Sequence, residues 1–254
     1  MNKKLNILLT NDDGVRAEGI IHLAEKVKPF GNVTIVAPET QCSGMSQKLT
    51  INADLVLRKQ ESYPVAGVEA YSLSGTPVDC VDVAVTRIMP VRPDYVFSGI
   101  NYGYNAGFDA ASSGTVGASL EALIFGIPTI AFSNGVPEGA VFSGAGANYE
   151  VIDATITDII QELLHTEIEK SAFWNVNFPG CSLAEYNGIL RNRSIAQLRP
   201  YSQNFIPVTT PDGNKAFRPS DSMISREEAP DGSDIHAVLN NFISIGKIYN
   251  NMLI

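Results

Sequence analysis

Two adjacent carboxylates, Asp12 and Asp13, stand in an Asp-Asp-Gly turn two residues after the apolar residues 7–9. Those residues, Ile-Leu-Leu, are typical of a buried parallel strand. Because neighbouring carboxylates repel each other, their position at the end of a buried strand favours a bound cation or a shared proton. Taken alone, such a turn is more often a solvated loop that caps a helix, so the rest of the chain must decide.

Two further polar side chains follow predicted strands. Residues 32–37 predict a second parallel strand, which leads into a polar loop that carries Ser43. Residues 95–97 predict another strand, and Asn101 lies in the glycine-spaced stretch behind it. In open α/β sheets, ligands bind beyond the carboxyl ends of the strands, so we expect both side chains to meet the carboxylate pair there.

The chemistry of this set is that of a hard divalent cation. Asp12, Asp13, Ser43 and Asn101 offer only oxygen ligands, which suit Mg²⁺ or Mn²⁺, whereas zinc recruits histidine or cysteine. One such cation per subunit would polarise a phosphoryl oxygen and activate a water. We predict that the two aspartates are also catalytic, with one of them orienting or deprotonating the attacking water, and that the serine and asparagine are neutral ligands.

A phosphate site is predicted beside this cluster. Residues 112–115 begin a helix whose first N–H groups and positive dipole end favour an anion. Every helix start has these groups, so a plain helix cap is the alternative. The candidate phosphate-binding residues are Asn11, Gly44, Asn105, Ser113, Gly114 and Thr115.

The composition bounds the class of protein. A chain of 254 residues that is 44% hydrophobic and 18% charged is typical of a soluble globular enzyme. With 27 acidic and 18 basic residues and a formal charge of -9, its surface is unsuited to a nucleic acid polymer or an anionic membrane. A small anionic substrate is compatible with this charge only where a metal ion or a helix N-terminus attracts it.

The sequence also predicts where the protein works. The apolar run behind the N-terminal lysines ends at Thr10, short of the roughly 7 to 15 residues that a signal peptide needs. No stretch reaches the roughly 20 apolar residues of a membrane span. The cysteines Cys42, Cys80 and Cys181 form no CxxC pair, which indicates reduced thiols. We therefore expect a cytoplasmic protein that contacts no membrane.

Strands and helices alternate along residues 1–180, which predicts an α/β fold with a mostly parallel sheet. An apolar stripe at residues 20–27 predicts the first helix. Thr76 and Pro77 predict the start of another, because a threonine cap and a proline in the first turn favour helix initiation. Residues 149–164 predict a long amphipathic helix.

Two regions break this alternation. Residues 48–74 predict β-hairpins beside the main sheet. A short helix is predicted near residues 235–240. Three segments after residue 181 predict further hairpin strands: 189–198, 205–209 and 242–248. We therefore predict a core of residues 1–180 and a hairpin and short-helix extension of residues 181–254 that is not an independent domain.

Other enzyme classes use comparable residues. A cysteine phosphatase needs an arginine six positions after its thiolate, and behind Cys42 that position is Lys48, which cannot form the bidentate fork. A haloacid-dehalogenase-type phosphatase needs a second aspartate two positions after the first, where this chain has Gly14. A calcium nucleoside hydrolase has a denser run of aspartates. A metal-binding module without turnover is the remaining alternative.

Six ordered blocks resemble the SurE family of stationary-phase survival nucleotidases: ILLTNDDG, VAP followed by SG, SGTPVDCV, PDYVFSGIN, SGTVGASLEA and NVNFP. Six blocks in this order are far more specific than any one motif, and they span roughly residues 1–180. The loop before the serine departs from the family pattern. The family usually has an aspartate and then Asn-Arg there, and this chain has Glu39, Gln41 and Cys42.

The resemblance implies a Rossmann-like, three-layer core and a 5′-nucleotidase activity on nucleoside monophosphates, with 3′-nucleotidase and exopolyphosphatase activities as further options. It implies a metal held at Asp12, Asp13, Ser43 and Asn101, the same residues that the strand ends select. It also implies a homodimer or homotetramer in which the C-terminal extension is exchanged between subunits. A metal-dependent nucleoside hydrolase and a non-catalytic metal-binding module stay as alternatives.

Overall fold

The computed structural model describes residues 4–136, 146–201, 204–219 and 222–253. Its strands in chain order are β1 Leu5–Thr10, β2 Gly31–Pro38, β3 Leu57–Lys59, β4 Glu69–Leu73, β5 Tyr95–Tyr102, β6 Thr129–Asn134, β7 Ala172–Phe178, β8 Gly188–Arg193, β9 Phe205–Thr209, β10 Lys215–Pro219 and β11 Phe242–Tyr249. Its α-helices are α1 Glu18–Val27, α2 Pro77–Val83, α3 Gly114–Ile124, α4 Glu150–Leu164 and α5 Asp234–Leu239.

Nine of these strands form one sheet in the order β3-β4-β2-β1-β5-β6-β7-β11-β8. The first strand, β1, pairs in parallel with β2 on one side and β5 on the other. The β3-β4 and β7-β11 pairs are antiparallel, and the remaining pairs are parallel. The predicted α/β fold with a mostly parallel sheet is therefore confirmed.

Alternate residues of β1 face two helical layers. Ile7 and Leu9 pack in one apolar cluster with residues of α1 and α4, whereas Leu8 packs in a second cluster with residues of α2 and α3. All three side chains are fully buried, and each such burial stabilises the fold by roughly 1.5–3 kcal/mol. The predicted three-layer core is confirmed, and its packing fixes the end of β1, where the carboxylates begin.

The second helix begins as the sequence predicts. The side chain of Thr76 accepts a hydrogen bond from the N–H of Asp79, whose carboxylate accepts one of 2.8 Å from the N–H of Thr76. This reciprocal capping box satisfies two N–H groups that the helix start leaves unpaired, and Pro77 occupies the first turn. Within the described ranges, none of the helices has the length and apolar character that a bilayer span requires.

Residues 48–74 differ from the prediction of hairpins beside the sheet. The strand β4 pairs in parallel with β2, and β3 pairs antiparallel with β4, so both extend the main sheet to its edge. Residues 49–51 form no strand. Thr50 instead donates hydrogen bonds of 3.0 and 2.6 Å from its backbone and side chain to the carboxylate of Asp79. These bonds hold the segment as a loop against the start of α2.

The hairpin predicted around residues 205–209 is confirmed by the antiparallel pair β9-β10, whereas the positions of β8 and β11 correct the prediction that residues 189–198 and 242–248 are hairpin strands. The strand β11 pairs antiparallel with β7 and parallel with β8, so both strands belong to the main sheet. Ile243 and Ile245 of β11 are thereby buried in the large apolar cluster, which a free hairpin would leave in water. The short helix predicted near residues 235–240 is present as α5. The division of the chain at residue 181 stays a prediction.

Of the strands in the described residues, only β9 and β10 form a separate two-stranded sheet. Their hairpin exposes three large apolar side chains, with Phe205, Ile206 and Phe217 exposed by 60%, 52% and 67%. An isolated hairpin is marginally stable in water because it has no core of its own. The hairpin therefore presents an apolar surface that this chain does not cover.

Candidate metal centre and active site

A cavity of about 830 Å³ opens at the carboxyl edge of the central strands. Asp12 and Asp13 lie just beyond β1, after Asn11, and Ser43 lies in the loop after β2. Asn101 lies within β5, which continues beyond the predicted residues 95–97. The parallel pairing of β1 with both neighbours brings these strand ends to one edge. All four predicted metal-binding side chains therefore line the same cavity.

Asp12 is only 2% exposed and is held by the start of α3. Its carboxylate accepts a hydrogen bond of 2.8 Å from Thr115 Oγ1. Burial raises the pKa of Asp12, and hydrogen bonds from Thr115 and from the backbone of Gly114 act in the opposite direction. A Cβ on Gly114 would lie 2.8 Å from the Cβ of Asp12, so a residue without a side chain lets the helix approach this closely.

Asp13 lies beside Asp12 and is held from the opposite side by β5. Its Oδ2 accepts a hydrogen bond of 2.9 Å from the N–H of Tyr102, and the side chain of Gln41 also hydrogen-bonds to it. Burial, followed by the charge of Asp12, nevertheless raises the pKa of Asp13 to about 7. These hydrogen bonds therefore do not offset the cost of holding two buried, neighbouring carboxylates charged.

The two neutral members of the set are oriented by their neighbours. Gln41 Nε2 donates a hydrogen bond of 3.0 Å to Ser43 Oγ, so this glutamine links the serine to Asp13. Asn101 Nδ2 donates a hydrogen bond of 2.9 Å to the carbonyl oxygen of Gly103. This bond occupies the amide nitrogen and leaves the amide oxygen to act as a ligand.

The cavity wall is acidic. Besides the aspartate pair it contains Glu18 and Asp109, and the described residues that line it include no lysine, arginine or histidine. Arg199 forms an ion pair with Asp109 but is not among the residues that line the cavity. No cluster of three or more histidine, cysteine or acidic side chains suited to a metal occurs in the described part of the chain. A cation here therefore needs the neutral oxygens of Ser43 and Asn101, a donor set that fits Mg²⁺ or Mn²⁺.

The structure divides the six candidate phosphate-binding residues into two groups. Gly44, Asn105 and Ser113 line the cavity. Asn11 is absent from the cavity wall, because its amide bonds to both the N–H and the carbonyl of Gly14, at 3.2 and 2.9 Å. These bonds shape the turn that presents the two carboxylates, which gives Asn11 a structural task.

Gly114 and Thr115 also lie outside the set of residues that line the cavity. The hydroxyl of Thr115 and the backbone of both residues hydrogen-bond to Asp12. The positive end of α3 therefore acts on a carboxylate that belongs to the protein. That these two residues also contact phosphate stays a prediction.

Cys42, considered above as a nucleophile, is only 5% exposed. Its thiol lies 3.4 Å from the carbonyl oxygen of Thr40, and its N–H donates a hydrogen bond of 2.7 Å to the carbonyl of Asp12. Burial and then the charge of Asp12 raise the pKa of the thiol, which disfavours the reactive thiolate. The hydrogen bond from the N–H of Cys42 thus helps to hold the turn that carries the two carboxylates.

Sequence reasoning missed several residues of the cavity wall, among them Gln41, Tyr102 and Tyr149. Gln41 was noticed only as a departure from the family pattern, although its position two residues before Ser43 was an available signal. Tyr102 reaches Asp13 through its backbone N–H, and a backbone donor has no signature in residue type. The sequence predicts Tyr149 only as the first residue of a helix.

The family model described as "Survival protein SurE" matches residues 7–199. The chain belongs to the SurE family. Among SurE relatives, 5′-nucleotidase SurE of Clostridium botulinum (strain 657 / Type Ba4) is 35% identical over 248 residues, which cover 98% of this chain and 94% of the relative. The 5′-nucleotidase SurE of Pelobacter propionicus is 34% identical over 250 residues, which cover 96% and 93%.

A solved structure agrees with this assignment. The crystal structure of the SurE protein from Aquifex aeolicus superposes with a TM-score of 0.78 at 32% identity, covering 98% of this chain and 96% of that one. The SurE resemblance that the six sequence blocks predicted is confirmed.

Proposed function

We propose that this chain is a phosphoric monoester hydrolase, a 5′-nucleotidase that releases phosphate from nucleoside monophosphates with one divalent cation, Mg²⁺ or Mn²⁺, per subunit. The name 5′-nucleotidase SurE that its relatives in C. botulinum and P. propionicus carry supports the reaction class. The observation that carries the metal dependence is the buried Asp12-Asp13 pair, because no basic side chain in the described cavity wall offsets its charge.

The same charges explain why a nucleotide needs a cation to enter. A phosphate monoester is anionic at neutral pH, and this chain has a formal charge of -9 and four acidic side chains in the cavity wall. Repulsion would exclude the substrate without a compensating positive charge. Gly44, Asn105 and Ser113, which line the cavity, bring no charge and so add no repulsion near the phosphate.

A bound divalent cation supplies polarisation of a phosphoryl oxygen and activation of a water. Asp12, Asp13, Ser43 and Asn101 are the residues that would hold it. The hydrogen bond from Thr115, at the start of α3, holds the carboxylate of Asp12 in place.

Asp13 is less buried than Asp12, and it is our candidate to orient or deprotonate the attacking water. Its second contact, with Gln41, couples it to Ser43, so these three side chains keep a common geometry. Because Ser43 and Asn101 are neutral, the site keeps only two charged ligands.

The direct test measures the release of phosphate and of free base separately. Purified full-length protein receives 5′- or 3′-nucleoside monophosphates, free nucleosides or polyphosphate, each with Mg²⁺, Mn²⁺ or excess chelator. We expect phosphate from the 5′-monophosphates only when a metal is present, and the 3′-monophosphate and polyphosphate samples define the breadth of the activity. Free base from nucleosides would identify a nucleoside hydrolase instead, and no turnover on any substrate would leave a metal-binding module.

We also propose that the chain forms a homodimer or homotetramer through the β9-β10 hairpin. Phe205, Ile206 and Phe217 leave an apolar surface exposed within one chain. The SurE resemblance predicts exchange of a C-terminal segment, and exchange of an identical element is a low-cost route to a symmetric assembly.

Sedimentation of the full-length chain at micromolar concentration tests the assembly. We expect an even-numbered oligomer, and we expect the double variant Phe205→Ser, Phe217→Ser to sediment as a monomer. Tyr249→Ser removes a comparably exposed aromatic side chain from a different strand and serves as the matched control. A wild-type monomer under these conditions would contradict the proposal without affecting the metal centre.

A further inference from the structure

The ring of Tyr149 forms part of the cavity wall and is stacked on the ring of His22. The ring centroids lie 4.1 Å apart and the two planes are parallel to within 1°. His22 belongs to α1, and Tyr149 directly precedes α4, so two helices set this stack. His22 covers one face of the tyrosine ring, which leaves the other face for a ligand, and Tyr149 is one of the residues that line the cavity.

Charged residues around His22 hold the stack in place. The ring nitrogens of His22 lie 3.8 Å from the carboxylate of Glu18 and 3.6 Å from that of Asp153. Asp153 also pairs with Lys26 at 2.9 Å, and its N–H donates a hydrogen bond of 2.8 Å to the carbonyl of Tyr149. A ring restrained in this way loses little conformational freedom when a planar ligand stacks on its open face.

The platform stands beside the candidate metal centre. Tyr149 lines the same cavity as Glu18 and Asp13, and burial and then the charges of these two carboxylates raise the pKa of Tyr149. A nucleotide whose phosphate lies at the aspartate pair therefore has an aromatic surface within the same cavity for its base.

Two other aromatic residues of the wall, Tyr104 and Tyr201, are engaged with each other. Tyr104 and Tyr201 pack against each other, with centroids 6.1 Å apart. The hydroxyl of Tyr104 donates to the carbonyl of Pro179 at 2.7 Å, and the hydroxyl of Tyr201 accepts from the N–H of Tyr104 at 3.0 Å. Tyr104 is only 6% exposed. The rings of Tyr104 and Tyr201 are therefore engaged in the packing of the fold.

We propose that Tyr149, backed by His22, is the platform on which the nucleobase of the substrate stacks. The proposal rests on the proposed nucleotidase function and deepens it, because it assigns the part of the site that separates nucleotides from other phosphate monoesters. Stacking on an aromatic ring is open to every base, so the platform favours a base over none. Tyr149 contacts the substrate, and His22 is a positioning residue that acts through it.

The test is the ratio of kcat/KM for AMP or UMP to kcat/KM for ribose 5-phosphate, which has the same phosphate ester and no base. Tyr149→Ala is expected to lower this ratio roughly tenfold to hundredfold, mainly through KM, whereas Tyr149→Phe keeps the ring and the ratio. His22→Ala is expected to lower it by about threefold, and His22→Phe to restore it, because a ring again supports the tyrosine. Tyr249→Ala, outside the cavity, is the matched control and should leave the ratio unchanged.

Saturation-transfer NMR in the presence of chelator measures whether adenosine binds to the full-length chain. This measurement separates the platform proposal from the nucleotidase function. Adenosine binding that Tyr149→Ala weakens supports the platform even if the wild type releases no phosphate, and then only the proposed function fails. Adenosine binding that Tyr149→Ala leaves unchanged would overturn the platform, whether or not the wild type hydrolyses nucleotides.

Discussion

Two pairs of carboxylates lie close together in this SurE chain, and they are built differently. Asp12 and Asp13 stand at the end of β1 in the cavity wall, whereas Asp82 and Glu121 lie on the neighbouring helices α2 and α3. In each pair, burial and then the charge of the second carboxylate raise one pKa, that of Asp13 or of Asp82, to about 7.

The difference lies in what offsets the repulsion. Glu121 raises the pKa of Asp82 by its charge and by hydrogen bonding, which favours a proton shared by this pair, and Glu121 also accepts a hydrogen bond from Gln47 Nε2 at 2.9 Å. The members of the first pair bond instead to separate donors, Thr115 and Tyr102, and a hydroxyl and an amide oxygen stand beside them. The second pair is thus suited to a proton and the first to a cation.

The largest expected effect follows from removing a ligand charge. Asp12→Asn or Asp13→Asn should lower metal-dependent phosphate release by more than about hundredfold, since even changes around metal ligands cost roughly 10–100-fold. Asp82→Asn is the matched control and should change the rate less than about twofold. Initial rates across a Mg²⁺ titration measure this, with circular dichroism to check folding. Equal losses in Asp13→Asn and Asp82→Asn would remove the distinction between the pairs.

A smaller effect is expected from the neutral ligand. Ser43→Ala should lower the rate about tenfold, because it removes one oxygen donor and leaves both carboxylates in place. Cys42→Ser should retain most activity, since the buried thiol plays no part in turnover. Initial rates and intact-protein mass spectrometry check this. The reverse order of effects, or a trapped phosphocysteine, would support a covalent route instead.

The hydrogen bond that orients Asp12 gives a third test. Thr115→Val keeps the shape of the side chain and removes the 2.8 Å bond to the carboxylate, so Mn²⁺ should bind roughly tenfold more weakly. Ser119→Ala, four residues along the same helix, removes a buried hydroxyl that bonds only within α3 and serves as control. Mn²⁺ titration of both variants measures this, and equal weakening in the two would show a general effect on the helix.

The smallest effect concerns the pH dependence of stability. The pKa of Asp82 rises from its ordinary 3.8 to about 7, so the folded chain binds this proton more tightly than the unfolded chain, and stability is lost as the pH rises through this window. Asp82→Asn does not titrate. Its Tm should exceed that of the wild type by about 2 °C at pH 8 and should not exceed it at pH 5. A Tm difference that scanning calorimetry finds equal at both pH values would contradict this assignment.

The convergence of Asp12, Ser43 and Asn101 could be predicted from the sequence, because each follows or ends an apolar strand and the carboxyl ends of parallel strands share one edge. The roles of Asn11 and Gly114 could not. Both are polar or small residues beside the site, and only the three-dimensional structure shows that their groups bond to Gly14 and Asp12.

The pairing of strands in the sheet could likewise not be predicted from the sequence alone. Local alternation predicted strands at both β8 and β11, but the pattern of one strand carries no information on its partner. The sequence therefore predicts a hairpin strand at residues 242–248, although β11 pairs with β7 and β8 in the main sheet. The stack of Tyr149 on His22 is similar, since it joins residues of two helices that are distant in the sequence.

The most direct test of the account counts the Mn²⁺ ions that each chain binds, by electron paramagnetic resonance of the free ion in equilibrium with the protein. The account predicts one bound ion per chain in the wild type and in Asp82→Asn, and none in Asp12→Asn at the same concentrations. One bound ion in Asp12→Asn together with its loss in Asp82→Asn would contradict the account, because it would place the cation between α2 and α3.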